Sequence, residues 1–113
     1  MDDILDLAGR LGKAIADSKQ AQSLRQAREA LHNEPATVQL LNEYQAQAHK
    51  IGQLEEQQKP VEVGDKHTLN DLHDRLIASE TFKKYTAAQV DYIDLMRRVN
   101  DTLRHHLGET EKD

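Results

Sequence analysis

Cysteine is missing from this 113-residue chain, and so is tryptophan. Without cysteine there can be no disulfide, no thiolate nucleophile and no iron–sulfur ligation by Cys. Aromatic residues are few: Phe82, Tyr44, Tyr85 and Tyr92 make up 4% of the chain. Hydrophobic residues reach only 37%, many of them alanine, so a private core would gain little from burial worth about 25 cal/mol per Å². Helices that share a core with a second copy would make up that deficit, and homo-oligomerisation, as a dimer or larger assembly, is the expectation. No apolar run approaches the length of a membrane span. The acidic start, Asp2-Asp3, is unlike the basic region of a signal peptide, which leads to an expectation of a cytoplasmic location with no membrane contact. A net charge of −5 removes the basic face that phosphate contacts demand, so direct nucleic-acid binding is not expected.

Proline is nearly absent as well, and its two positions punctuate the chain. Pro35 fits the first turn of a helix, with Asn33 available as its cap. Pro60 and Gly64 break the pattern near 59–64, and Asp65 is positioned to cap a fourth helix. Five helical segments result. The first carries Ile4, Ala8, Leu11 and Ile15 on one face, with Leu5 and Leu7 alongside; Gly9 and Gly12 weaken it, so it should depend on docking. Asp17-Ser18 reads as a fresh start, with Gln20 placed to complete a capping box with Asp17. The second helix then shows a narrow stripe of Ala21, Leu24, Ala27 and Leu31. A third, over 35–58, carries Leu41, Tyr44, Ala48 and Ile51, and the shorter fourth carries Leu69, Leu72 and Leu76. Ser79 caps the fifth, over 79–106.

The fifth segment holds the strongest pattern. Phe82, Tyr85, Gln89, Tyr92, Met96, Val99 and Leu103 succeed one another in steps of three and four without a break. Such a heptad seam must bury itself against other helices, so these seven residues are the candidate oligomer or partner interface. Gln89 is its one polar member. Two readings stay open for it: an amide reaching water at the seam's edge, or a buried group that fixes helix register. Tyr85 and Tyr92 suit an interface with rings packed and hydroxyls at the rim. The expected fold is all-α, a helical bundle built on a long antiparallel hairpin of the third and fifth helices with the shorter ones docked on it. A single domain over 1–107 with a charged tail over 108–113 is expected.

Candidate chemistry is sparse. His67, Asp71 and Asp74 share a helical face, but a metal needs three or four convergent ligands and one helix supplies too few. The adjacent His73-Asp74 pair is the kernel of a metal-dependent phosphohydrolase site, without the further His and Asp such a site requires. Nucleophile elbows and glycine-rich phosphate loops are not found. No enzyme activity, catalytic residue, metal or cofactor is therefore expected.

The Leu11-Gly12-Lys13-Ala14-Ile15-Ala16-Asp17-Ser18 opening, the Ala30-Leu31-His32-Asn33-Glu34-Pro35 turn and two similarly punctuated halves resemble the YlbF/YmcA family of small bacterial helical proteins, and within it the YheA-like branch. Relatives often carry Asn-Pro where this chain has Ser79-Glu80, a change that keeps a capping residue. The resemblance implies an all-helical fold, self-association and regulation through protein contact. It implies a role like that of relatives in bacterial development (competence, biofilm and sporulation), where they belong to a complex that modulates an RNA-processing nuclease. The cluster-binding role of cysteine-bearing relatives does not carry over. A regulatory adaptor that meets a cytoplasmic protein is thus the expected function; the alternative is a structural or chaperone-like helical hairpin.

Overall fold

The computed structural model describes residues 2–108, and among them every regular element is an α-helix. In chain order these are α1 (Asp2–Asp17), α2 (Lys19–His32), α3 (Pro35–Glu56), α4 (Val63–Ile77) and α5 (Glu80–Leu107). The fold is all-α, as its spacing predicts. Of the expected tail, the residues after Gly108 lie outside those described.

The helix boundaries arise from local hydrogen bonding. Ser18 breaks α1 from α2: its Oγ donates to the Ile15 carbonyl at 2.6 Å and accepts the Ala21 N–H at 3.1 Å. The capping group is therefore Ser18 rather than Asp17. Gln22, not Gln20, ties back, its Nε2 donating to the Asp17 carbonyl at 2.9 Å. Ser79 caps α5 in the same way, accepting the Phe82 N–H at 3.1 Å. Pro35 opens α3, but Glu34 holds the N-cap position and Asn33 finishes α2 by donating its N–H to the Glu29 and Ala30 carbonyls.

The chain divides into two compact units. One comprises Arg28–Lys84 and is centred on α3 and α4, which form an antiparallel hairpin. Tyr44 lies against His73, ring centroids 6.3 Å apart, while Gln47 and Lys50 further along α3 reach Asp65 near the start of α4. Leu31, Leu72 and Leu76 are buried in this unit, Leu76 at 2% exposure. The turn through Pro60 thus returns α4 along α3. α4 begins earlier than its sequence suggests. Gly64 lies inside the first turn of α4, with Glu62 at its N-cap. Asp65 therefore sits inside the first turn rather than at the cap; Lys50 Nζ donates to its Oδ1 at 3.0 Å and Gln47 Nε2 to its backbone carbonyl at 2.9 Å. The Lys50 ammonium, by its hydrogen bond and charge, holds the Asp65 carboxyl below the usual carboxylate range against the opposing effect of partial burial.

In the same unit the two helix breaks are tied together. Glu34 accepts hydrogen bonds from the hydroxyl of Thr37, at 3.0 Å, and from that of Thr81 in the first turn of α5. The remaining unit holds α1, α2 up to Ala27, and α5 from Tyr85. Ala21 and Leu24 of α2 and Ala88 of α5 are its buried residues. Alanine at two of these three positions leaves space for a close helix approach, as the narrow α2 stripe predicts.

Candidate interaction surface

A helix with a heptad seam buries the residues nearest its contact axis and leaves the flanks partly open. On α5 that axis runs closest to Ala88, one residue from the seam. Phe82, Tyr85, Tyr92, Met96 and Val99 are half-buried, whereas Gln89 and Leu103 are exposed. Gln89 therefore has the first of its two readings within one chain: its amide faces water. The seam residues stay on one face, but that face is shared between contact inside the chain and open surface. Ile93 and Leu107, both exposed, widen the open side.

α1 supplies the part that the heptad pattern does not reveal. None of its residues is buried, although its apolar positions are strongly segregated to one side. Ile4, Leu5 and Leu7 are 70%, 62% and 60% exposed, and Leu11 is 37% exposed. The dependence on docking predicted for this helix is thus left largely unmet by its own chain. The signal was available in the sequence as an apolar stripe interrupted by two glycines. What it could not reveal is that the rest of the unit would cover so little of it. Where α1 meets α5, Leu11, Arg98, Val99, Thr102 and Leu103 line an open hollow of about 250 Å³.

Charge frames this surface unevenly. α1 begins with Asp2 and Asp3 in its first turn, which suit the positive end of its helix dipole. On α5, Arg97 and Arg98 both pair with the single carboxylate of Asp94, Arg98 at 3.1 Å. Asp101 follows three residues after Arg98, so acids flank the two arginines on both sides along α5.

The other candidate chemistry disperses. Asp71 pairs with Arg75 at 3.4 Å, and Asp74 lies 3.5 Å from His73 Nδ1. His67, Asp71 and Asp74 do not converge, and among the described residues no three His, Cys, Asp or Glu side chains come together as a metal site. No helix among them is long and apolar enough to cross a membrane.

Comparison with known proteins places these features in context. The model of one family matches residues 4–107, and its description reads control of competence regulator ComK, YlbF/YmcA. Neither the curated proteins nor the solved structures offer a match to the chain.

Proposed function

The chain belongs to the YlbF/YmcA family, and we propose that it is a non-enzymatic regulatory adaptor that works through helix-mediated protein contact. The family's description ties it to the control of a competence regulator, so bacterial developmental regulation is the process this reading assigns. One observation carries the mechanism: a 16-residue amphipathic helix, α1, leaves its apolar face exposed beside the open side of α5. Exposed leucine and isoleucine in such number mark surfaces that meet another protein. Self-association and capture of a regulatory protein in the cytoplasm are both assigned to this surface, including the seam residues Met96, Val99 and Leu103.

Affinity capture from a bacterial lysate tests the reading, using the wild-type chain and a Leu103→Asp variant. One stoichiometric protein retained by the wild type and lost from the variant is the expected result. Retention of many unfolded clients would instead favour the chaperone-like alternative, and equal retention by both proteins would move the docking surface elsewhere.

A further inference from the structure

The unit Arg28–Lys84 contains two direct helix-to-helix corners, α2 into α3 at Asn33-Glu34 and α4 into α5 at Ala78-Ser79. One carboxylate joins them. Glu34 holds the N-cap position of α3, yet its side chain makes no capping bond to the α3 backbone. Its two oxygens take a hydroxyl each instead: Oε1 accepts from Thr37 at 3.0 Å, and Oε2 accepts from Thr81. Both threonines sit in first turns, where the positive end of a helix dipole favours a carboxylate. The two contacts differ in what their loss would do. Thr37 is the one buried polar residue among those described. Removing its acceptor would strand a hydroxyl away from water, which costs more than the bond itself contributes. Thr81 is half-buried and Glu34 is exposed, so water can take the place of the bond between them.

We propose that Glu34 is a latch between the two corners: Thr37 anchors its carboxylate on the α3 side, and Thr81 is the catch that is made or released on the α5 side. Thr81 precedes Phe82, the first residue of the α5 seam, whose N–H is capped by Ser79 Oγ at 3.1 Å and whose side chain is half-buried. With the latch closed, the first turn of α5 is tied to the α2–α3 corner. With it open, that turn loses the tie and frays more often, bringing Phe82 into water. The latch thus governs how the start of the seam is presented, whatever protein the chain meets. It also couples the two helix starts, because a carboxylate already fixed by one hydroxyl is placed for the other, and such coupling is reciprocal.

Native-state hydrogen exchange of the full chain tests the latch. The α5 probe is the Phe82 N–H, and the α3 probe is the Val38 N–H, which donates to the Glu34 carbonyl. The Gln22 N–H, bonded to the Ser18 carbonyl at the start of α2, is the control. Thr81→Val keeps the side-chain shape and removes the hydroxyl. It should speed exchange about threefold at both Phe82 and Val38 and leave Gln22 unmoved, while Thr81→Ser should stay within about twofold of wild type. In a Glu34→Ala background, Thr81→Val should add no further change, since the acceptor is already gone. Faster exchange at Phe82 alone would reveal a bond without coupling and overturn the latch. An equal rise at Gln22 would overturn it too, as general loosening, and so would no change at either probe. Failure of Thr81→Ser to restore protection would show that the hydroxyl is not the catch. A further effect of Thr81→Val without Glu34 would assign Thr81 a different partner and refute the proposal.

Discussion

Replacing Gln58 with glycine should stabilise this protein, against the usual cost of adding glycine to a chain. α3 ends with Gln57 at its C-cap and Gln58 at φ +58°, the left-handed region. Two hydrogen bonds close the end: the Lys59 N–H donates to the Leu54 carbonyl at 2.8 Å, and the Gln58 N–H to the Glu55 carbonyl at 3.0 Å. This is the Schellman arrangement, in which the left-handed residue is most often glycine. A side chain there brings Cβ against its own backbone, at about 1–2 kcal/mol. Glycine removes that cost but has more unfolded-state freedom to lose, about 0.5–1 kcal/mol. The difference favours Gln58→Gly by about 0.5–1 kcal/mol, while Gln58→Ala should bring no gain because its Cβ remains. For a chain of this size the gain corresponds to a rise in Tm of about 2–6 °C. Thermal unfolding followed by far-ultraviolet circular dichroism would read it for all three proteins. If the glycine variant melted below wild type, or no higher than the alanine variant, the strain assigned to Gln58 would be refuted.

Leu76, the most deeply buried side chain, should cost about 2–5 kcal/mol when truncated to Ala, whereas its neighbour Ile77, 46% exposed, should cost less than half of that; urea unfolding compares them. Ser79→Ala removes the acceptor of the Phe82 N–H and should destabilise α5 by about 1 kcal/mol, read in the same assay. Asp65 adds a pH dependence. Its folded pKa is depressed, so its contribution is complete above the unfolded carboxylate range and is lost as pH falls through the folded pKa. Wild type should therefore exceed Asp65→Asn in stability at pH 7, and the gap should close in acid; a gap that persists below about pH 2 would contradict the Lys50 pairing.

How much of the fold was legible beforehand differs from element to element. The existence of five helices stems from apolar residues spaced three and four apart, and Pro35, Ser18 and Ser79 mark starts because they act on backbone groups only a few residues away. Of the α2 stripe, Ala21, Leu24 and Leu31 are buried and Ala27 is half-buried. Asp65 shows where such reasoning stops. It has the chemistry of a cap, yet its carboxylate meets Lys50, fifteen residues earlier, a partner that local sequence does not announce. Gln58 is a similar case, since nothing in a glutamine signals a left-handed residue.

Local sequence sets whatever depends on neighbours within one or two helical turns: the all-α class, most helix starts, and which residues share a face. Which face meets which was settled by tertiary packing alone. The turn through Pro60 could return any helix of suitable length, and it is α4 that lies along α3, held by the contacts of Lys50, Gln47 and Tyr44. The seam on α5 marked a face but not its depth of burial; Ala88 took the centre, and Gln89 was turned to water. Most consequential for function, α1 has the pattern of a buried helix and yet remains exposed. Amphipathicity records that a face needs cover, whereas the identity of the cover depends on distant surfaces whose shape and charge exist only once the chain has folded.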